Sequence, residues 1–246
     1  MRILFFPLPS KRLCRQALAV AFVLVLGLLL FLSIEGVRKL MPTTGSSGNP
    51  VFQVKTDQPV ASLAVNVAWG EEHLPNFLTV LAQEEATATF FVVGDWVEQF
   101  PELTQDIAAG GHELGNHSWS HPYPTQIAAE DLAAEIKKTE KLLQELTGQQ
   151  SGLFAPPYGE WDKEVVLTAG ELGYRTIMWT VDTIDWQQPG VEVITKRVLD
   201  NLAPGSIILM HPTEQTAKAL PQILAGAKEK GFKFVTVGQL LDEAAP

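Results

Sequence analysis

The chain has 246 residues, of which 46% are hydrophobic and 19% charged, and this composition excludes wholesale disorder and collagen-like repetition. The formal net charge of −10 is unevenly distributed: residues 1–42 carry +5, and the rest of the chain carries −15. Because nucleic-acid binding depends on the neutralisation of phosphates, this acidic part excludes a nucleic-acid partner. The single cysteine, Cys14, excludes an internal disulfide and a thiolate-built zinc site.

The first predicted element is a membrane-spanning helix at residues 17–34. These 18 residues carry no charge, and at ~1.5 Å per residue such a helix is about 27 Å long, close to the ~30 Å hydrocarbon core of a bilayer. Three basic residues within 11–15 favour a cytoplasmic segment 1–16 and export of the remainder. A cleaved signal peptide is the alternative, but no clear small-x-small cleavage pattern precedes Glu35. We therefore expect a single-pass signal anchor in the cell membrane, with an extracytoplasmic C-terminal domain.

The segment after this helix, residues 35–58, is predicted to be a linker because its central part, PTTGSSGNP, is rich in Pro, Gly, Ser and Thr. Residues 59–246 alternate short β-rich runs with helical patterns. The predicted strands are 62–68, 88–93, 112–116, 152–156, 175–181, 206–210 and 232–237. Seven strands separated by helices predict an α/β fold with a parallel sheet, either closed into a (β/α) barrel or doubly wound.

Three helix signals are specific enough to test. The longest helical pattern runs from Thr125 to Thr147, with an apolar stripe on one face and Gly148 as its stop. Pro75 is predicted in the first turn of another helix, and Asp162 is predicted to cap a third.

Polar and aromatic side chains follow most of the predicted strands. In a parallel α/β barrel the reactive groups lie at the C-terminal ends of the strands. The residues at these points are Asn66 and Trp69, Asp95, His117 and His121, Pro156 to Gly159, Asp182 and Asp185, and His211. Unrelated surface residues would not be expected to collect at one edge of a sheet, so the sequence predicts a functional site there.

The spacing of His117 and His121 in His-Ser-Trp-Ser-His predicts a metal site. Two histidines four residues apart can face one cation if the segment is helical or turns tightly, and imidazole suits zinc and similar metals. A pair of histidines alone is more often polar surface or a hydrogen-bond partner, but the strand-end position favours the metal. His73 and His112 lack this support and are interpreted as structural.

His211 follows the apolar run SIILM and precedes Pro212. A histidine at such a strand end can act as a general acid if a carboxylate keeps it protonated near neutral pH. Asp185, at the end of the neighbouring strand, is the candidate carboxylate. The alternative is a His–Asp pair that only ties two loops together.

Together these segments resemble the polysaccharide deacetylase family, also called the NodB-homology or chitooligosaccharide deacetylase domain. The resemblance covers about residues 60–240 and follows the family's motif order, through ATFFVVGDW, GHELGNHSWSHP, APPYGEWD, WTVDTIDW and LMHP. The sequence NVAWG at 66–70 is most similar to the corresponding motif of the sporulation-associated branch found in spore-forming bacteria.

The resemblance implies a distorted (β/α) barrel that hydrolyses N-acetyl groups of amino-sugar polymers such as peptidoglycan or chitin. In this family a divalent metal (zinc, cobalt or similar), usually held by one Asp and two His, polarises the acetamide carbonyl and activates a water. An Asp acts as general base, an Arg orients it, and a His tuned by a second Asp protonates the departing amine.

Transferred by motif, the resemblance gives each candidate residue a role. His117 and His121 correspond to the metal histidines. His211 corresponds to the general acid, and Asp185 to its tuning carboxylate. The implied substrate-binding positions are Tyr158, as a backbone N–H donor to the oxyanion, and Trp186 and Leu209, as walls of the acetyl pocket.

The chain departs from the family pattern in the first motif, which usually reads Thr-Phe-Asp-Asp-Gly. Aligned on the strand, this chain reads Ala-Val-Asn-Val-Ala at 64–68. Asn66 then replaces the base, and an amide cannot accept a proton at neutral pH, while Val67 replaces the metal-binding Asp. A shifted alignment places Ala68 and Trp69 opposite the two Asp and also loses both carboxylates.

The Arg of the third motif is missing too, because its position is occupied by Ala155. Losing a general base typically costs ~10²–10⁴ in rate, and two neutral imidazoles without an anionic ligand hold a metal less tightly. Asp95, Glu71 and Glu72 are candidate substitutes for the missing carboxylate, with solvated loop acids as the alternative interpretation.

Two functional hypotheses follow. The first is a membrane-anchored, weakened N-deacetylase acting on extracytoplasmic amino-sugar glycan. The second is an inactive relative that binds glycan or another partner, for example in spore envelope formation. A third, a membrane-tethered scaffold without a ligand, requires the PPYG and HSWSH loops to be purely structural. All three place residues 17–34 in the cytoplasmic membrane.

Overall fold

The computed structural model describes residues 48–244. The predicted cytoplasmic segment, the predicted membrane helix at 17–34 and the first part of the predicted linker therefore lie outside the described residues. Within the described part, no helix combines the length and the apolar composition needed to cross a bilayer.

The strands of the sheet are all paired in parallel. Their bounds are β1 (Val60–Val67), β2 (Thr89–Val92), β3 (Glu113–Asn116), β4 (Leu153–Phe154), β5 (Arg175–Thr176), β6 (Val181–Asp182), β7 (Ile207–Met210) and β8 (Lys233–Phe234). Seven of them follow the order β5-β4-β3-β2-β1-β7-β6, and β8 pairs with the start of β1. The predicted α/β fold with about seven parallel strands is confirmed. It forms a curled half-barrel rather than a closed barrel, because β5 and β6 do not pair within residues 48–244.

Helices connect the strands. Their bounds are α1 (Leu74–Gln83), α2 (Gly94–Gln99), α3 (Pro101–Ala109), α4 (Ala129–Thr147), α5 (Lys163–Glu171), α6 (Val191–Asn201), α7 (Glu214–Glu229) and α8 (Val237–Asp242). Pro75 lies in the first turn of α1, as predicted. Asp162 caps α5 by accepting a hydrogen bond from the Val165 N–H at 2.8 Å. Gly148 ends α4 in the left-handed conformation (φ 72°), which glycine adopts without a Cβ penalty.

Two predicted boundaries differ from the structure. Helix α4 begins at Ala129 rather than at Thr125, because Pro124–Gln126 form a separate 3-10 turn. The predicted strand 175–181 is two strands, since β5 pairs with β4 and β6 pairs with β7, at opposite edges of the sheet. β-propensity shows that a run is extended but not which strand it pairs with, so the change of edge could not be predicted.

Residues 51–54, within the predicted linker, are held against the sheet. The Val51 N–H donates to the Thr176 carbonyl oxygen of β5 at 2.8 Å, and the Val54 N–H donates to the Gly205 carbonyl oxygen, just before β7, at 2.9 Å. Val54 is also buried. This segment therefore joins β5 to the start of β7 across the opening of the half-barrel.

Successive side chains of β1 point alternately to the larger core and to the interior of the half-barrel, and this alternation determines which of them lines the cleft. Leu63, Val65 and Val67 are fully buried in the larger core, together with apolar residues of α1 and α7. Ala64 belongs to the smaller core inside the half-barrel. Asn66 lies two residues further along the strand and shares the face of Ala64. The end of β1 therefore directs Asn66 toward the interior and Val67 away from it.

We expect the Gly205→Ala substitution to destabilise the domain strongly. Gly205 has a φ of +74°, and a Cβ added there would lie 1.7 Å from the carbonyl oxygen of Val54, so the segment 51–54 would have to move away. The expected loss in the free energy of unfolding is about 3–4 kcal/mol, measured by urea unfolding.

Gly111→Ala is the matched control, because Gly111 has a similar φ of +78° but no atom within 4 Å of the added Cβ. It should cost about 1–2 kcal/mol, the strain of the left-handed conformation alone. Equal losses for the two substitutions would contradict the close approach of Val54 to Gly205.

Candidate functional site

The C-terminal ends of the strands surround an open cleft of about 460 Å³. The predicted site residues that line it are Asn66, His117, His121, Tyr158, Trp186, Leu209 and His211. The remaining predicted residue, Asp185, is fully buried beside His211. The structure therefore brings together, at one edge of the sheet, residues that are widely separated in the sequence.

His211 is fixed by the carboxylate of Asp185. The His211 ring donates from Nδ1 to Oδ1 at 2.8 Å, and the His211 backbone N–H donates to Oδ2 at 2.7 Å. Thr216, in the first turn of α7, donates its hydroxyl to Oδ2 at 2.7 Å. Because Nδ1 is engaged, Nε2 is the ring nitrogen of His211 that remains for a ligand in the cleft.

His117 and His121 are brought together by a tight turn rather than by a helix. Ser118 and His121 have positive φ angles of 66° and 55°, and the two imidazole centroids lie 4.8 Å apart. The carboxylate of Glu135, on α4, accepts hydrogen bonds from two backbone N–H groups in the turn, at 2.9 and 2.7 Å. Sequence reasoning missed Glu135, because an acidic residue on a helix carries no signal of a partner in a distant turn.

The imidazole of His117 is buried and held in one tautomer. Its Nδ1–H donates to the Ala155 carbonyl oxygen at 2.6 Å, which leaves the lone pair on Nε2. Burial, followed by the neighbouring imidazole of His121, lowers the pKa of His117 from 6.5 to about 3. Burial also lowers the pKa of His121. Both imidazoles are therefore neutral at neutral pH.

Aromatic side chains line much of the cleft. Trp69 stacks on His211 with ring centroids 5.8 Å apart and planes 6° apart. Tyr158 stacks on Tyr123 with centroids 4.0 Å apart and planes 8° apart. About half of the surface of Trp69, Tyr158 and Trp186 is exposed, at 45%, 53% and 55% respectively. The cleft therefore presents exposed aromatic surface to a ligand.

Sequence reasoning did not single out Trp179, which also lines the cleft. The prediction of one continuous strand through 175–181 placed Trp179 inside a strand instead of at a strand end. A Cβ added to Gly159 would lie 2.5 Å from the Trp179 ring. The glycine of the PPYG motif therefore makes room for this indole.

Comparisons with known proteins identify the family to which this fold and cleft belong. The family model for polysaccharide deacetylases matches residues 53–177. The chain is 34% identical over 210 residues to a peptidoglycan-N-acetylglucosamine deacetylase of Bacillus cereus, covering 83% of this chain and 96% of that protein. The chain belongs to the polysaccharide deacetylase family.

Three further similarities concern an uncharacterized protein and two crystal structures of one pseudoenzyme. The chain is 40% identical over 194 residues to the uncharacterized protein YlxY of Bacillus subtilis, covering 79% of this chain and 61% of YlxY, and so spans about six tenths of that relative. It is 38% identical to BA3943, a CE4 family pseudoenzyme from Bacillus anthracis, with a TM-score of 0.78 over 80% of this chain and 70% of that one. A mutant of BA3943 with restored enzymatic activity matches at 36% identity, with a TM-score of 0.78 over 80% of this chain and 72% of that one.

The residues of this polysaccharide deacetylase cleft do not fit the metal that the family implies. A catalytic zinc takes three protein ligands, but no group of three or more His, Cys, Asp or Glu placed to hold a metal occurs within residues 48–244. The charge of Asp95 favours protonation of His121, yet Asp95 completes no ligand group. Glu71 and Glu72 lie in a 3-10 turn and do not line the cleft.

The end of β1 favours the shifted alignment of the family's first motif. Val67 is fully buried in the core, whereas Ala68 and Trp69 line the cleft. Gly70 then matches the glycine of the motif, and its φ of +86° and a backbone oxygen 2.2 Å from an added Cβ both require glycine. The shifted alignment corrects both expected replacements: the position of the base holds Ala68 rather than Asn66, and the position of the metal-binding Asp holds Trp69 rather than Val67. Asn66 lies in the cleft wall, two residues before Ala68.

The position of the family's arginine holds an apolar residue, and its surroundings in the structure are also apolar. Ala155 is buried in the smaller core inside the half-barrel, and its carbonyl oxygen holds His117. The cleft lining, as far as residues 48–244 form it, therefore contains no guanidinium to orient a base.

We predict that His117 stays neutral, with the proton on Nδ1, between about pH 8 and pH 5, because its pKa lies near 3. The unfolded chain takes up this proton near pH 6.5, so the contribution of His117 to stability is complete above that pH and is lost as the pH falls toward 3. Histidine ¹⁵N NMR measures the tautomer, and the His117→Gln variant identifies the signal. Protonation of His117 in the folded protein near pH 6.5 would contradict the prediction.

Proposed function

We propose that this chain binds amino-sugar glycan, such as peptidoglycan or a chitin-like polymer, in the cleft without hydrolysing its N-acetyl groups. One observation carries the proposal. The cleft keeps its aromatic lining and the His211–Asp185 pair, but the positions of the family's base, third metal ligand and arginine hold Ala68, Trp69 and Ala155.

The relatives support a glycan ligand. One is named a peptidoglycan-N-acetylglucosamine deacetylase, and BA3943, which is described as a pseudoenzyme, has the same fold with 38% identity. Conversion of the BA3943 pseudoenzyme to an active mutant supports the view that such a cleft loses turnover before it loses its shape.

The rival proposal is a weakened N-deacetylase, and His211 with Asp185 is the observation that favours it. A general acid alone protonates a departing amine but does not generate the attacking nucleophile. Loss of the base typically costs ~10²–10⁴ in rate, and the incomplete metal group removes the family's means of activating water. We therefore favour binding over hydrolysis.

The location of this function is proposed from the sequence alone. The uncharged run at 17–34 and the basic residues before it support a single-pass anchor in the cell membrane with the cleft on the extracytoplasmic side. The sequence NVAWG at 66–70 resembles the sporulation-associated branch of the family, and this resemblance supports a role in spore envelope formation.

We predict that the full chain, purified in detergent, releases no acetate from N-acetylglucosamine oligomers above the uncatalysed background, with or without added zinc or cobalt. The triple variant Ala68→Asp, Trp69→Asp, Ala155→Arg restores two carboxylates at positions that line the cleft and a guanidinium at the buried position whose carbonyl oxygen holds His117. It should bind zinc and release acetate, as measured by titration calorimetry and an acetate assay.

The matched control is Asn66→Asp, Val67→Asp, Ala155→Arg, which restores the same groups in the unshifted alignment. It should neither bind zinc nor release acetate, because the second carboxylate would face the core that buries Val67. Metal-dependent acetate release by the wild-type chain would overturn the binding-only proposal in favour of the weakened enzyme.

Binding itself is predicted to depend on the cleft aromatics. Trp186→Ala should weaken binding of N-acetylglucosamine oligomers about tenfold, the equivalent of ~1.4 kcal/mol, as measured by calorimetry. Trp161→Ala is the control, because Trp161 is also an exposed tryptophan (40%) but does not line the cleft. Equal effects of the two substitutions would show that binding, if any, does not use the cleft.

A further inference from the structure

Asn66 has hydrogen-bonding capacity that the described part of the chain leaves unused. The residue is only 6% exposed and lines the cleft, yet its Oδ1 has no hydrogen-bond partner within residues 48–244. A buried polar atom without a partner costs free energy. The carboxamide of Asn66 therefore keeps hydrogen-bonding capacity for a group bound in the cleft.

The chemistry of the carboxamide matches an acetamido group. A primary amide offers a donor and an acceptor, and rotation by about 180° around its last torsion exchanges the two. Nε2 of His117, whose Nδ1–H is held by the Ala155 carbonyl oxygen, adds a lone-pair acceptor in the same cleft. The acetamide carbonyl oxygen and N–H can thus both find partners, and Leu209 supplies apolar surface for the methyl group.

The same cleft is poorly suited to the cationic amine of a deacetylated sugar. Nδ1 of His117 is committed to the Ala155 carbonyl oxygen and Nδ1 of His211 to Asp185, and the carboxylate of Asp185 already accepts three hydrogen bonds. Among the lining residues that the structure describes, only Asp182 carries a carboxylate, and one of its oxygens accepts the Ile184 N–H at 2.8 Å. An ammonium group would lose hydration here and would find one anionic partner, the second carboxylate oxygen of Asp182.

We propose that Asn66 makes the cleft selective for N-acetylated over deacetylated amino sugars by hydrogen-bonding the acetamido group. The inference rests on the proposed glycan-binding function and names the chemical group that the site recognises. Asn66 is then a specificity-determining residue, and the chain distinguishes the acetylation state of the glycan instead of changing it.

The test is calorimetric titration of the full chain with N-acetylglucosamine oligomers and with glucosamine oligomers of equal length. The wild-type chain should prefer the acetylated oligomer by about tenfold or more. Asn66→Leu, which keeps the branch at Cγ and has no hydrogen-bonding atoms in its side chain, should lose about tenfold in affinity for the acetylated oligomer and little for the other. Asn66→Asp should shift the preference toward the cationic oligomer, because it adds an anion to the cleft.

Ser62→Ala is the matched control. Ser62 lies four residues earlier on the same face of β1, and its hydroxyl is also buried without a partner among the described residues, but it does not line the cleft. Ser62→Ala should leave both affinities unchanged. Thermal unfolding of each variant checks that the fold is retained, and an acetate assay on the same samples shows that turnover does not mimic binding.

The outcomes separate the two proposals. Equal wild-type affinity for both oligomers, or a preference that survives in Asn66→Leu, overturns the role of Asn66 and leaves glycan binding intact. Absence of binding to either oligomer overturns the proposed function and this inference with it. If Asn66→Leu does not fold, a preference unchanged in Asn66→Asp is the contradicting result.

Discussion

The burial of the Asp185 carboxylate is the constraint on which the geometry of the cleft depends. An ion removed from water must be compensated by hydrogen bonds, and Asp185 receives three, two from His211 and one from Thr216. These bonds join the end of β7, the start of α7 and the turn that contains Asp185. Removing a partner would leave a buried charge uncompensated, at a cost of about 3–5 kcal/mol. Folding stability therefore maintains this pair whether or not the chain performs catalysis, and its presence does not by itself indicate turnover.

The same reasoning applies to the turn that holds His117 and His121. The Nδ1–H of His117 satisfies the Ala155 carbonyl oxygen, and Glu135 and Asn116 accept backbone N–H groups of the turn. Each of these hydrogen bonds joins two protein groups, so none of them requires a metal. Ala68 and Trp69 differ, because they follow the last residue of β1 and their side chains line the cleft rather than the core. Substitutions there change the chemistry at little structural cost, so the end of β1 is the informative position.

Much of the fold was predictable because it depends on local signals. Pro75, Asp162 and Gly148 mark helix ends through their own backbone and side-chain chemistry, and strand ends followed from apolar runs. The partner of a strand is a long-range property, so the split of 175–181 and the attachment of 51–54 to the sheet were not predictable. The site residues were found as strand ends, but the alignment of the first motif needed the direction of each side chain at the end of β1.

The losses in the first and third motifs are physically coupled. If the carboxylates at the end of β1 are replaced by Ala68 and Trp69, an arginine at the buried position of Ala155 has lost its partner. An unpaired guanidinium in the interior of the half-barrel is strongly destabilising, which favours a small apolar residue there. Likewise, the two carboxylates of the family's first motif would repel each other and the acetyl oxygen of a ligand if no metal lay between them. Neutral side chains at 68, 69 and 155 are therefore compatible with one another. The position of the family's metal-binding Asp holds an aromatic ring, since Trp69 stacks on His211. A site of neutral hydrogen-bonding groups and aromatic walls is suited to bind a sugar. A hydrolase must also stabilise the charge that develops at the scissile bond in the transition state.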